Sequence, residues 1–295
     1  MGKKAIFTGA GVALVTPMHP DGSIHYGKLE ELVDWHVENG TDAIIVCGTT
    51  GEAPTLKMEE HLEAIRVTVA RAAGRIPVIA GTGSNDTDHC INSCREAQRL
   101  GADGLLLVTP YYNKTSQRGL VAHYSKVAAS TDLPLILYNV PSRTGVNIQP
   151  KTVAELAKLD NVVGLKQANG DLSSVAQIAA TCDLPIYSGN DDQIVPILSM
   201  GGAGVISVLS NVIPRETHDI CQTWFDGNVK GSLALQLHWL ELANALFSDV
   251  NPIPVKAAMN LMGMDVGECR LPLYPMEEGA LAALATVLRR YELIR

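Results

Sequence analysis

The segment Val78–Val108, VIAGTGSNDTDHCINSCREAQRLGADGLLLV, contains a complete strand–helix–strand unit. It opens on the apolar run Val78-Ile79-Ala80 and continues through an apolar stripe at helical spacing, Ile91–Leu100. The stripe stops at Gly101, and a second apolar run follows, Gly104-Leu105-Leu106-Leu107-Val108. Glycine suits the left-handed position that closes a helix. An apolar run without alternation suits a strand buried on both faces, as in a parallel sheet covered by helices. Comparable runs stand at Val12–Val15, Ala43–Val46, Leu135–Tyr138, Val162–Leu165, Ile186-Tyr187 and Gly204–Val208. The runs total eight, with starts roughly 20 to 35 residues apart, the length of a strand plus a helix. Between them Leu29, Leu32, Val33, His36 and Val37 share a helical stripe flanked by Glu30, Glu31, Asp34 and Glu38. Similar stripes fall at Leu62–Val69, Leu120–Ala129, Val153–Leu159, Val175–Ala180 and Ile194–Met200, and Gly40 and Gly74 are further helix stops.

Eight such units favour an α/β fold closed as a (β/α)8 TIM barrel over an open doubly wound sheet. A dinucleotide fold needs G-x-G-x-x-G directly after its first strand. The nearest match, Gly9-Ala10-Gly11, precedes the first run and has Leu14 where the third glycine belongs. From about Pro214 onward the pattern is helical, with Leu233, Leu237, Leu240, Ala243 and Phe247 on one stripe and Pro252 and Pro254 opening a further helix. The expected organisation is a catalytic barrel over residues 1–225 and a C-terminal α-helical appendage over residues 226–295.

The chain of 295 residues is 46% hydrophobic but only 5% aromatic, so its core must be built from Ala, Val, Ile and Leu. A net charge of −8 argues against nucleic acid, which requires a basic face. No apolar run approaches the ~20 residues of a membrane span, and the start lacks a secretory pattern. Cys47, Cys90, Cys94, Cys182, Cys221 and Cys269 are scattered, and free thiols in a cytoplasmic protein are expected. Cys90 and Cys94, with His89 alongside, read as buried small hydrophobes rather than metal ligands.

In a barrel of this kind the active site lies at the C-terminal ends of the strands. The sixth run ends Gly164-Leu165-Lys166-Gln167. Period-two alternation puts Lys166 on the face of Gly164 and Val162, and Gly164 leaves room beside it for a long side chain or a ligand. A buried lysine pairs, reaches solvent or gives up its proton, and in the last case it can form a Schiff base with a carbonyl substrate. The second run ends Gly48-Thr49-Thr50-Gly51-Glu52, a turn whose N–H and hydroxyl donors suit a small carboxylate. Tyr111 and Tyr112 follow the fourth run and Tyr138 ends the fifth. Any one of these is ordinarily core, but three near a lysine fit a proton relay. Arg143 is either a fork for a substrate carboxylate or a surface arginine. Amine nucleophile, proton shuttle and carboxylate anchors together meet the needs of a class I aldol-type reaction.

These stretches, with Tyr138-Asn139-Val140-Pro141-Ser142-Arg143-Thr144-Gly145 and Asn251-Pro252-Ile253-Pro254-Val255-Lys256, resemble the dihydrodipicolinate synthase family, in order and in register from about Phe7 to the C-terminal helices. The resemblance implies a lyase of the diaminopimelate route to lysine that condenses pyruvate with L-aspartate 4-semialdehyde and needs neither metal nor organic cofactor. It implies that Lys166 forms the pyruvate imine and that Tyr138 moves protons, linked through Thr49 to Tyr112 of a second subunit. Thr50 would hold the pyruvate carboxylate, Ile206 would present a carbonyl near the substrate, and Arg143 would hold the carboxylate of the semialdehyde. A homotetramer of tight dimers is implied.

Two positions depart from the family. Gln167 stands where many relatives have Glu; by alternation it points away from Lys166, with little expected effect. In lysine-sensitive relatives an inhibitory pocket combines two histidines, a glutamate and an asparagine. The matching positions here are Met58, His61, His89 and Asn85, so lysine inhibition is expected to be weak or absent. The alternatives are a sialic acid lyase or keto-deoxy sugar aldolase of the same superfamily, and a catalytically dead paralogue. Thr49-Thr50 and Arg143 weigh against the first, and the presence of both Lys166 and Tyr138 weighs against the second.

Overall fold

The computed structural model describes residues 3–295. Eight parallel strands close on themselves in sequence order. They are β1 (Gly9–Ala13), β2 (Ala43–Val46), β3 (Val78–Gly81), β4 (Gly104–Val108), β5 (Leu135–Asn139), β6 (Val162–Gln167), β7 (Ile186–Ser188) and β8 (Gly204–Ser207). The intervening helices are α1 (Tyr26–Glu38), α2 (Met58–Ala72), α3 (Thr87–Arg99), α4 (Gln117–Ala128), the short α5 (Pro141–Thr144), α6 (Pro150–Leu156), α7 (Leu172–Ala179), α8 (Ile194–Leu198) and α9 (Pro214–Phe225). Then come α10 (Val229–Ala245), α11 (Ile253–Leu261) and α12 (Glu278–Arg290). The expected (β/α)8 barrel with helices appended at its C-terminus is what the chain forms, and Gly40, Gly74 and Gly101 sit at positive φ just beyond α1, α2 and α3.

Strand alternation divides the core in two. Ile45, Ile79, Leu106, Ile136, Tyr138, Tyr187 and Ile206 fill the barrel. Ile44, Val46, Val78, Ala80, Leu105, Leu107, Leu135, Leu137 and Leu165 face the helices. Tyr187 stacks on Phe7 with ring centroids 4.5 Å apart and donates its hydroxyl to the Phe7 carbonyl at 2.6 Å.

Five expectations need correction. The Gly9-Ala10-Gly11 stretch lies within β1 instead of preceding it. Val162 does not share the face of Lys166: the β5–β6 register shifts between Leu135↔Val162 and Ile136↔Gly164, so Val162 faces the helices while Gly164 faces inward. The space at Gly164 is taken by Ile136 and Tyr187, whose atoms would sit 3.2 and 3.3 Å from an added Cβ, and is not left for a ligand. The last third is not wholly helical, because residues 262–277 form an irregular crossing between α11 and α12. On α10, Leu233 and Leu237 are exposed, while Ser232, Gln236, Leu242 and Ala243 are buried, and the exposed Phe247 lies beyond the end of the helix. The inward face is fixed by Gln236, whose side chain accepts from Val195 N and donates to the Asp192 carbonyl.

His36 on α1 is fully buried, with Nδ1 2.9 Å from the Thr41 hydroxyl and Nε2 without a partner. Burial pushes its imidazole down to about 3 from an ordinary 6.5. Below about 6.5 the unfolded chain takes up a proton that the folded chain refuses, so folding stability falls with pH by up to about 1.4 kcal/mol per unit. Urea titrations between pH 4 and 7 are expected to show a shallower pH dependence for His36→Gln than for the parent; parallel curves would exclude this account.

Candidate active site

A cavity of about 460 Å³ opens at the C-terminal ends of β2 to β5. Thr49, Tyr111, Tyr138 and Arg143 line it together with Met58, His61 and His89. No carboxylate is among its lining residues. Arg143 reaches the wall from α5, a one-turn helix started by Pro141 and stopped by Gly145 at φ +68°. His61 is held by the Gly81 carbonyl, 2.9 Å from Nε2, and burial lowers its imidazole below the ordinary value while that bond opposes the shift.

Lys166 and Tyr138 are directly paired in the β5–β6 register, and Tyr187 flanks Lys166 on β7. The Lys166 Nζ lies 4.4 Å from the Tyr138 ring centroid. Lys166 is 5% exposed and belongs to no ion pair among the described residues. It is therefore an amine in contact with a tyrosine ring and not tied to a counter-ion, although neither Lys166 nor Thr50 is among the residues that line the cavity.

The turn after β2 is tightly built. Cys47 and Glu52, both non-glycine, take left-handed φ values of 54° and 56° at its two ends. Glu52 N donates to the Thr49 carbonyl at 3.0 Å, and the Thr16 hydroxyl donates to the Gly51 carbonyl at 2.7 Å. The N–H groups of Thr49, Thr50 and Gly51 have no acceptor among the described residues. Three unspent donors next to two hydroxyls are a donor set that suits an anion.

Sequence reasoning did not assign several residues that complete this region. Asn251, just before α11, donates through Nδ2 to the Thr50 hydroxyl at 3.0 Å, and its carbonyl accepts from Arg143 Nη2 at 3.1 Å. Asp191, after β7, is buried and accepts the N–H groups of Val208 and Leu209 at 3.0 and 2.9 Å, fixing the turn that follows Ile206. Burial raises its carboxyl, and bonds from Ser207 and those two N–H groups oppose the rise. The only trace of it in the sequence is Gly189-Asn190-Asp191 at a strand end. Gln167 points to the outer layer, as alternation predicts, accepting from Asn139 Nδ2 at 2.8 Å and donating to the Ser174 hydroxyl at 3.3 Å.

Two predicted groups are not drawn together within one chain. No hydrogen bond joins Thr49 to Tyr138 among the described residues, although both line the cavity. Tyr112 is 91% exposed, at φ 68°, and its neighbour Tyr111 lines the cavity in its place. Ile206 is buried in β8 within the barrel cluster.

A family model described as the dihydrodipicolinate synthetase family matches residues 6–291. A curated 4-hydroxy-tetrahydrodipicolinate synthase from Lachnoclostridium phytofermentans is 55% identical, covering 98% of this chain and 100% of the relative. The dihydrodipicolinate synthase of Acinetobacter baumannii, solved in complex with pyruvate, superposes with a TM-score of 0.95 at 43% identity over 97% of this chain and 99% of its own. The synthase of Cyanidioschyzon merolae, solved with lysine bound, gives 0.96 at 41% identity over 99% and 100%. The barrel, the lysine beside its tyrosine and the near full-length match lead to one assignment: the chain belongs to the dihydrodipicolinate synthetase family.

Proposed function

We propose that Lys166 is the imine-forming lysine of this enzyme and that pyruvate and L-aspartate 4-semialdehyde are its substrates. The activity is that of a 4-hydroxy-tetrahydrodipicolinate synthase, a lyase in the diaminopimelate route to lysine, and the sugar-aldolase alternative is not favoured. The observation that carries the assignment of Lys166 is its unpaired amine beside the Tyr138 ring. The amine adds to the pyruvate ketone and water leaves, giving an imine that acts as an electron sink. Loss of a methyl proton gives the enamine, whose terminal carbon attacks the aldehyde; the substrate amine then displaces Lys166 as the ring closes. Tyr138 carries the protons. Thr50 holds the pyruvate carboxylate with its hydroxyl and the free N–H groups of its turn, Thr49 links Tyr138 to the Tyr112 of a second subunit, the Ile206 carbonyl faces the reacting centre, and Arg143 holds the second carboxylate.

A second copy of the chain would supply Tyr112 to this site, which accounts for a tyrosine left exposed in a strained conformation. The apolar Leu233 and Leu237 on α10 support further pairing of such dimers into a tetramer. Borohydride reduction in the presence of pyruvate, followed by peptide mass spectrometry, tests the central assignment. A reduced adduct on Lys166 is expected, and an unmodified Lys166 would overturn it. The reducing cytoplasm suits its six free cysteines, and no described helix is long and apolar enough to cross a membrane.

The positions Met58, His61, His89 and Asn85 contain no carboxylate to receive the ammonium of free lysine, and none lines the adjoining cavity. An ammonium taken from water without a paired carboxylate binds poorly. Activity is expected to persist at micromolar L-lysine, and half-inhibition in that range would contradict this reading.

A further inference from the structure

Glu52 belongs to the turn that offers the free N–H groups, yet its side chain is fully withdrawn from the cavity. Its Oε1 accepts from Lys256 Nζ on α11 at 2.9 Å, and its Oε2 accepts from Arg270 N at 2.8 Å. Lys256 is also buried, and its ammonium further donates to the carbonyls of Glu268 at 2.7 Å and Thr16 at 3.1 Å. Thr16 in turn donates its hydroxyl to the Gly51 carbonyl, so cation and turn share a neighbour. A carboxylate two residues from Thr50, in a low-dielectric interior, would repel any anion brought to the turn.

We infer that Lys256 is a positioning residue for substrate binding, which acts through Glu52 by neutralising its carboxylate behind the anion-binding turn. This rests on the reading that Thr50 and the free N–H groups of its turn hold the pyruvate carboxylate. The turn does not depend on the ion pair alone for its shape, because the Glu52 N–H bond to Thr49 and the Thr16 bond to Gly51 remain when the charges are removed. The specific contribution of Lys256 is its charge. The helical appendage is then part of the binding machinery of the barrel, although no residue of α11 needs to touch the substrate.

The test is steady-state kinetics on Lys256→Met, Glu52→Gln and the double variant, varying each substrate in turn. Lys256→Met leaves a lone buried carboxylate, and the KM for pyruvate is expected to rise about tenfold, with a smaller rise for the semialdehyde. Glu52→Gln leaves the ammonium instead and is expected not to raise the pyruvate KM. The double variant, with neither charge, is expected to recover most of the loss. An unshifted pyruvate KM in Lys256→Met, an equal rise for both substrates, or a double variant as impaired as Lys256→Met would overturn the inference. Should Lys256→Met not fold, the double variant decides: a pyruvate KM within about threefold of the parent supports the inference, and a tenfold rise overturns it. Failure of the parent protein to be trapped by borohydride would refute the imine reading instead, so the two failures are distinct.

Discussion

Lys166→Ala is expected to lose at least about ten-thousandfold in kcat and to give no adduct on borohydride reduction with pyruvate. The magnitude follows from the role proposed for the amine: without it no imine can form on this route, and proton removal from the pyruvate methyl loses its electron sink. The folded barrel should survive, because among the described residues Lys166 forms no ion pair, and its neighbours Tyr138 and Tyr187 keep their own backbone partners. Tyr138→Phe makes the informative contrast. It keeps the ring beside Lys166 and removes only the hydroxyl, so imine trapping should persist in amount while turnover falls by about a hundred- to ten-thousandfold, the usual worth of a positioned acid–base group. If Tyr138→Phe turned over at the parent rate, Tyr138 would have to be reassigned as packing. If Lys166→Ala kept more than a hundredth of the parent rate, the imine route would be excluded.

The same two side chains mark how much of this site could be read from the residues in order. Lys166, Tyr138, Thr49 and Thr50 were legible because each ends an apolar run, and in a parallel barrel a position along a run is also a position in space. Alternation placed Gln167 outward correctly because nothing interrupts β6 after Gly164. It failed at Val162, on the other side of a register shift, where a period of two no longer applies. Asn251, Lys256 and Asp191 were not legible as partners. They meet Thr50, Glu52 and the turn after Ile206 through contacts between residues far apart in the chain, which leave no periodic trace. On α10 the pattern gave the helix, but its stripe joins exposed Leu233 and Leu237 to buried Ala243. Spacing tells which residues share a stripe, but which stripe is buried was decided by Gln236 and its two backbone partners. The charge argument also becomes local. A chain of net charge −8 presents its substrates with a cavity that no carboxylate lines, and the one carboxylate on the critical turn is paired and buried.

Gly204→Ala is expected to destabilise the fold by about 3 kcal/mol or more, a large share of a stability of about 5 to 15 kcal/mol. The residue opens β8 opposite Gly9 of β1, where the first and last strands close the barrel. It holds φ +147°, a region that L side chains rarely adopt, and an added Cβ would fall inside the contact radius of the Gly9 carbonyl oxygen. Backbone on the opposite strand cannot move aside without parting the seam. Gly9 N donates to the Ala203 carbonyl at 3.0 Å there, and Asp42 accepts from Ala10 N at 2.7 Å. Gly201→Ala is the matched control. Gly201 is also at positive φ, 86°, but an added Cβ there meets nothing within 4 Å, so only the conformational cost of about 1 kcal/mol applies. Thermal or urea denaturation of the two variants side by side separates steric obstruction from backbone preference. Equal losses would mean that the barrel seam yields, and that the glycine pair at its closure is a matter of φ alone.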